Sequence, residues 1–122
     1  MILVDTPIWI DHLRAGHPTL SRLLGDGLVL GHPWVVGELS LGSLSRREEI
    51  LSLLRALPQA EVADTDELSA FIEANPLPGA GIGYVDAQLL AATRLTPGAR
   101  LWTRDRRLNS AAERLGLRTN PT

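Results

Sequence analysis

The chain has 122 residues, a formal net charge of −2 and no cysteine. This length is sufficient for one domain with its own hydrophobic core. The lack of cysteine excludes disulfides and thiolate metal sites. No apolar stretch approaches the roughly 20 residues of a membrane span, and the first residues lack the basic region of a signal peptide. We therefore expect a soluble, cytoplasmic protein with a single domain over residues 1–122.

The overall charge gives no sign of the basic surface that is typical of nucleic-acid binders. It counts only weakly against a nucleic-acid substrate, because acidic residues gathered in one pocket lower the sum while arginines elsewhere still meet phosphates. All twelve basic residues are arginine. Arginine makes bidentate contacts to phosphate, but the same bias also arises from genomic base composition.

Predicted strands alternate with predicted helices along the chain. The strands are short, apolar and bounded by glycine, proline or polar residues: 2–4, 28–30, 61–63, 100–103 and 117–119. The helices fill most of the intervals: 8–13, 18–24, 33–41, 46–57, 65–74, 84–95 and 106–115. We expect a capping box at 45–48 before the fourth helix and Thr65 as the cap of the fifth. This order predicts an α/β fold with a mostly parallel sheet of four or five strands between helices.

Asp5 directly follows the first predicted strand. Open α/β sheets bind their ligands beyond the carboxyl ends of the strands, which makes Asp5 a candidate site residue. Asp before Thr6 and Pro7 is also a common start of a helix, because its side chain caps free N–H groups. The two roles are compatible, so Asp5 alone does not decide between them.

Asp86 lies in the apolar face of the helix predicted over 84–95. Its neighbours on that face, at helical spacing, are Ile82, Leu89, Leu90 and Thr93. An unpaired carboxylate costs several kcal/mol in such surroundings. Asp86 therefore needs a cation, a dense set of hydrogen bonds or a structural ion pair with Arg94 or Arg100.

Glu38 and Asp105 are the other two acidic candidates. Glu38 lies in the helix over 33–41, which is apolar almost all round, and we expect it to turn inward; the alternative is an ordinary exposed glutamate. Asp105 follows the strand over 100–103 and precedes a helix, so it again lies at a strand end. Its alternative role is a routine helix cap.

These four carboxylates are predicted to meet in one crevice. Without a counter-charge they repel one another, and several would take up protons. Hard divalent cations with oxygen ligands resolve this repulsion, and Mg²⁺ typically uses a few carboxylates together with water and substrate phosphate. The residues alone therefore predict a metal site that handles phosphates.

The chain resembles the PIN-domain family, and within it the VapC-type toxin ribonucleases of type II toxin-antitoxin pairs. The motifs that match lie in the family's order and spacing over nearly the whole chain: Val4-Asp5-Thr6, Val36-Gly37-Glu38-Leu39, Gly83-Tyr84-Val85-Asp86 with Leu90-Ala91-Ala92, and Trp102-Thr103-Arg104-Asp105 with Leu108. The resemblance implies a three-layer α/β/α fold. It also implies a Mg²⁺- or Mn²⁺-dependent endoribonuclease.

Residue by residue, the resemblance places the family's acidic quartet at Asp5, Glu38, Asp86 and Asp105. It implies that these residues are catalytic and hold the metal, with Glu38 positioning water or completing a second site. Thr103 matches the hydroxyl that precedes the last Asp, and Thr6 and Thr103 are expected at the substrate. Pro7 departs from the pattern, because relatives often carry a second Ser or Thr there.

Arg104, Arg106 and Arg107 are candidates for contacts with RNA phosphates, and Arg104 is the strongest of them. Basic residues in the first turn of a helix oppose its dipole at a cost of about 0.3 to 1 kcal/mol each, which indicates another use. The alternative is that they are solvated or ion-paired surface residues.

The partners that the resemblance implies are an RNA substrate, a VapB-like antitoxin and a second copy of the chain in a homodimer, with no membrane. Trp9 and Trp34 are candidates for those protein surfaces or for the core.

Two other classes of function compete with this interpretation. A haloacid-dehalogenase-type phosphatase would need a second Asp at the position of Pro7, and a receiver domain would need a pairing lysine, which the chain lacks. A PIN-like module that binds without cutting is the non-enzymatic alternative. The intact acidic quartet argues against it.

Overall fold

The computed structural model describes residues 1–121. Its centre is a three-stranded parallel sheet in the order β2-β1-β3, made of β1 (Ile2–Val4), β2 (Val29–Leu30) and β3 (Arg100–Trp102). Ile2 is opposite Val29 on one side and Arg100 on the other. Because all three strands are parallel, their carboxyl ends lie at one edge of the sheet.

The prediction of four or five strands is wrong for residues 1–121, where the sheet has three. The predicted outer strands are reduced to single parallel bridges, one between Gly31 and Gln59 and one between Leu101 and Arg118. The segment over 61–63 forms no strand, and the chain instead reaches the sheet slightly earlier, at Gln59. Each outer segment pairs with its neighbouring segment at a single residue, and one such bridge is too short to count as a strand.

Seven helices connect and cover the strands of the described chain. Their bounds are α1 (Thr6–Ala15), α2 (Pro18–Gly25), α3 (Pro33–Ser40), α4 (Arg47–Ala56), α5 (Thr65–Ala74), α6 (Tyr84–Leu95) and α7 (Arg106–Arg114). The α/β alternation that the sequence predicts is confirmed. The predicted bounds of all seven helices agree with the observed ones to within two residues at both ends.

Two predicted helix caps are wrong. The capping box at 45–48 does not form: Arg46 occupies the cap position of α4 in a left-handed conformation (φ 54°), and its side chain binds Glu49 instead. At α5 the cap is Asp64 rather than Thr65. Asp64 and Glu67 form a reciprocal capping box there. The error at α5 arises because Asp and Thr are both good caps, so neighbouring candidates compete. At α4 the left-handed turn at Arg46 starts the helix one residue later than predicted, without a side-chain cap.

The core surrounds the central strand. Leu3 and Val4 are fully buried, because β1 is covered on both faces and paired on both edges. Leu101 and Leu108 join them from β3 and α7. Burying such a side chain contributes about 1.5 to 3 kcal/mol. This packing fixes the edge of the sheet at which Asp5 emerges.

A buried glutamine that the sequence analysis did not single out holds α6 in place. Gln88 accepts a hydrogen bond from the backbone N–H of Ala63 (3.1 Å) and donates one to its carbonyl (3.0 Å). These bonds satisfy both backbone groups of a buried residue just before α5. They fix α6, and with it Asp86, against the rest of the domain.

None of the helices among the described residues is long and apolar enough to cross a membrane.

Candidate active site

Asp5 is the most buried of the four predicted acidic residues, with 6% of its surface exposed. It follows β1 and caps α1: its Oδ1 accepts a hydrogen bond from the backbone N–H of Thr6 (2.9 Å). The capping role is therefore confirmed. Oδ2 accepts a second hydrogen bond from the hydroxyl of Thr103 (2.6 Å). Both oxygens are thus oriented by fixed donors at the end of the central strand.

Thr103 connects Asp5 to Asp105. Its hydroxyl donates to Asp5 and accepts a hydrogen bond from the backbone N–H of Asp105 (3.0 Å). Asp105 caps α7, because its Oδ1 accepts from the N–H of Leu108 (2.9 Å). The routine capping role of Asp105 is therefore confirmed. Its side chain lies at the exposed rim of the same sheet edge.

Glu38 approaches the site from α3. Its Oε1 accepts a hydrogen bond from the hydroxyl of Thr6 (2.6 Å), the residue next to Asp5. The prediction that Glu38 turns into the apolar interior is wrong, since the residue is exposed. It lies on the open side of the crevice, because the buried face of α3 is formed by other residues: Val35, Val36 and Leu39.

Asp86 is half-buried near the start of α6. Its Oδ2 accepts a hydrogen bond from the backbone N–H of Gly83 (3.1 Å), the residue that precedes the helix. The alternative of an ion pair with Arg94 or Arg100 is wrong. These arginines donate to backbone carbonyls instead, Arg94 to that of Leu115 and Arg100 to that of Gly116.

The four carboxylates influence one another electrostatically. Burial raises the pKa of Asp5 above its ordinary value; hydrogen bonds from Thr103 and Thr6 oppose this rise, and the charges of Asp86 and Glu38 add to it. Burial also raises the pKa of Asp86, opposed by the Gly83 hydrogen bond and increased by the charges of Asp105 and Glu38. Each of the four carboxylates is therefore close enough to at least one other for their charges to interact. We call this group at the carboxyl edge of the sheet the acidic crevice.

The crevice is open rather than a closed cage. No group of three or more acidic or histidine side chains in residues 1–121 has the arrangement of a preformed metal site. Three of the carboxylates each use one oxygen in the hydrogen bonds described above and have a second oxygen without a protein donor there: Glu38, Asp86 and Asp105. These oxygens are the groups through which a cation or water could bind.

Arg104 lies beside the crevice but is engaged by the protein. It forms an ion pair with Asp11 and donates to the carbonyl of Pro7 (3.4 Å). The side chains of this pair are 55% and 38% exposed. The binding of an RNA phosphate by Arg104 stays a prediction.

The two tryptophans differ in their environments. Trp9 is buried in the core at 3% exposure. Trp34 is half-buried, and its ring contacts Tyr84 at 5.9 Å between centroids. Tyr84 is itself 55% exposed, so this aromatic pair forms part of the surface.

The raised pKa of Asp5 predicts a pH-dependent cost to the stability of the metal-free fold. In the unfolded chain Asp5 ionises near its ordinary value of 3.8, whereas the folded protein holds the proton to higher pH. Stability from this group is therefore lost as pH rises through the folded pKa. We expect Asp5→Asn to be more stable than the wild type at neutral pH, with the difference vanishing below the unfolded value. Urea denaturation in EDTA at acidic and neutral pH measures this, and a difference that does not depend on pH would contradict it.

The fold and the site together define an α/β protein with a PIN-like acidic crevice. No protein-family model matches the chain. The chain is 48% identical over 117 residues to Ribonuclease VapC32 of Mycobacterium tuberculosis, from strain H37Rv and equally from strain CDC 1551, and the match covers 96% of this chain and 94% of the relative. The chain therefore belongs to the VapC ribonuclease family, which confirms the resemblance inferred from its motifs.

Proposed function

We propose that this protein is a metal-dependent endoribonuclease and the toxin of a VapBC-type pair. One observation carries the site assignment: the buried carboxylate of Asp5 lies among three other acidic residues at the carboxyl end of the sheet, with no arginine paired to any of the four in residues 1–121. Membership of the VapC family supports ribonuclease activity. The three-layer PIN arrangement in one domain over residues 1–122 and a cytoplasmic location belong to the same proposal.

The donors of the crevice fit a hard divalent cation, Mg²⁺ or Mn²⁺. All of them are oxygens, and their mutual repulsion is the kind that such a cation relieves. Asp5, Asp86 and Asp105 would hold it, and Glu38 would complete the set. When bound, the cation lowers the pKa of water and neutralises charge on the phosphodiester during in-line displacement.

The chain's own residues orient the reaction. Thr103 fixes Asp5, and Thr6 fixes one oxygen of Glu38, which leaves the other free to position the attacking water. The hydroxyls of Thr6 and Thr103 would lie next to the bound substrate in this proposal, because each contacts a carboxylate of the crevice. Arg104 binds an RNA phosphate in this proposal, because its exposed pair with Asp11 is worth only about 0 to 1 kcal/mol and a phosphate can replace it.

The partners follow from family membership. We propose a VapB-like antitoxin that inhibits the enzyme and a homodimer as the active assembly. The surface that Trp34 and Tyr84 form is available to either partner, because the ring of Tyr84 is exposed beside the half-buried ring of Trp34.

A PIN-like module that binds RNA without cutting it is the second candidate function. It is favoured by the open arrangement of the acidic residues, since no three of them within residues 1–121 form a ready metal site.

The test is cleavage of a mixed structured RNA pool by antitoxin-free protein in Mg²⁺ or Mn²⁺, compared with EDTA. We expect cutting that depends on the cation. Calorimetric titration of the same protein with Mn²⁺ separates the two candidates. A folded protein that neither binds the cation nor cuts RNA would be the binding module, and the proposed nuclease activity would be wrong.

A further inference from the structure

Positive and negative charges are unevenly distributed along the chain, which the net charge of −2 does not reveal. Residues 94–122 hold seven arginines and two acidic residues, a formal charge of +5. Residues 1–93 hold five arginines and twelve acidic residues, a formal charge of −7. The positive charge is therefore concentrated in the segment that contains β3 and α7.

Part of this charge lines a groove along α7. The groove has a volume of about 450 Å³ and is formed by Ala80, Arg106, Arg107, Ser110 and Arg114. Three of the five lining residues are cationic and a fourth carries a hydroxyl. All three arginines are exposed. This composition is suited to an anionic ligand with several charges.

Within residues 1–121, the three groove arginines have no acidic partner. The ion pairs in residues 1–121 involve Arg46 and Arg104, and neither lines the groove. Arg94 and Arg100 donate to backbone carbonyls just after α7, and Arg118 donates to the side chain of Asn109 within it. In contrast, no side-chain hydrogen bond of the three groove arginines occurs in the described chain. The groove arginines are thus free to bind a ligand.

The loop before α6 lies close to the side chain of Arg107. Gly81 has a positive φ of 78°, and a Cβ there would lie 2.8 Å from Cδ and 2.9 Å from Nη1 of Arg107. Arg107 therefore lies directly against the backbone of this loop, in space that only glycine leaves. The same loop supplies the Gly83 N–H that binds Asp86, so one segment touches both the groove and the acidic crevice.

We propose that this arginine groove binds the sugar-phosphate backbone of the RNA strand as it leaves the active site, an inference that rests on the proposed function. Arg106 directly follows Asp105 of the acidic crevice, and Arg114 is eight residues further along α7. At 1.5 Å per residue the arginines extend about 12 Å away from the site. The groove is therefore long enough to bind more than one phosphate of an RNA strand.

RNA is favoured over an acidic protein segment because Arg106, which lines the groove, directly follows Asp105 of the crevice. An RNA strand whose scissile phosphate lies in the crevice reaches the groove if it continues past Asp105 along α7. The first turn of α7 also carries Arg106 and Arg107 against the helix dipole, at a cost of about 0.3 to 1 kcal/mol each. An anion that extends from the site along α7 offsets that cost.

The test measures binding of a fluorescein-labelled single-stranded RNA by fluorescence anisotropy in EDTA, as a function of salt. The variants are Arg114→Ala, the double variant with Arg106→Ala, and the matched control Arg22→Ala on the exposed surface of α2. We expect about fivefold weaker binding for Arg114→Ala, and a salt slope reduced by about 0.7 for each phosphate that the variant no longer binds. The KM for cleavage in Mg²⁺ should rise while kcat is unchanged, and Arg22→Ala should match the wild type.

Three outcomes would overturn the inference. In the first, RNA binds but the groove variants keep the affinity and salt slope of Arg22→Ala. In the second, Arg114→Ala weakens binding of a poly-glutamate peptide and leaves RNA binding intact, which would make the groove a protein-binding surface. In the third, the wild type binds no RNA at all. RNA that is bound with the expected salt slope but never cut would support the groove and contradict only the proposed nuclease activity.

Discussion

Replacing Asp5 with Asn is expected to lower the rate of RNA cleavage on the order of 10³-fold without lowering the stability of the fold. Asn is isosteric and caps helices as well as Asp does, so the hydrogen bond from Thr6 is retained. The amide NH2 of Asn donates to the Thr103 oxygen in place of the hydrogen bond that Oδ2 of Asp5 accepts from the Thr103 hydroxyl. The substitution also removes a negative charge that burial and two nearby carboxylates already disfavour. The negative charge of Asp5 therefore lowers the stability of the fold, and we expect its role to be catalytic.

Steady-state cleavage and urea denaturation, each measured on Asp5→Asn and on a matched control, test this expectation. Asp26→Asn is the control, because Asp26 is an exposed residue at the end of α2 that contributes nothing to the crevice. The control should keep full activity. If Asp5→Asn unfolds, or if it cuts RNA as fast as Asp26→Asn does, the carboxylate of Asp5 has a structural role and the assignment of the site is wrong.

The parts of the site that could be predicted from the sequence are those fixed by local patterns. The run over 2–4 predicts a buried strand because it is apolar and ends at turn residues. Asp5 must then lie at the carboxyl end of that strand. Asp105 is placed by the same reasoning after β3. The helical spacing around Asp86 correctly indicates a partly buried carboxylate among apolar residues.

The features that were missed depend on packing between distant segments. The exposure of Glu38 is set by how α3 lies against α1 and α4, which helical spacing within a uniformly apolar helix does not reveal. The hydrogen bonds of Gln88 join it to the backbone of Ala63, 25 positions away, and no sequence motif predicts them. The Arg104–Asp11 pair joins the end of β3 to α1 across nearly the whole chain. The basic groove, in contrast, has a sequence signal in the concentration of arginine after residue 93, which the net charge hides.

Thr103 gives the second large effect, because its hydroxyl serves two parts of the site at once. Thr103→Val keeps the shape of the side chain but removes the donor to Asp5 and the acceptor for the N–H of Asp105. We expect cleavage to fall about 10- to 100-fold, as is typical when a group that orients a metal ligand is removed. The free energy of unfolding should fall by about 1 to 3 kcal/mol, because buried polar groups lose their partner.

The pH profile distinguishes this positioning role from simple destabilisation. The Thr103 hydrogen bond lowers the pKa of Asp5, so its removal raises that pKa further. The acidic limb of the rate profile for Thr103→Val should therefore move to higher pH, while Thr103→Ser, which restores the hydroxyl, should return both the rate and the limb toward the wild type. A rate that falls equally in the Ser and Val variants, with no movement of the limb, would show that Thr103 acts through packing alone. Asp5 would then be oriented chiefly by the Thr6 N–H at the start of α1.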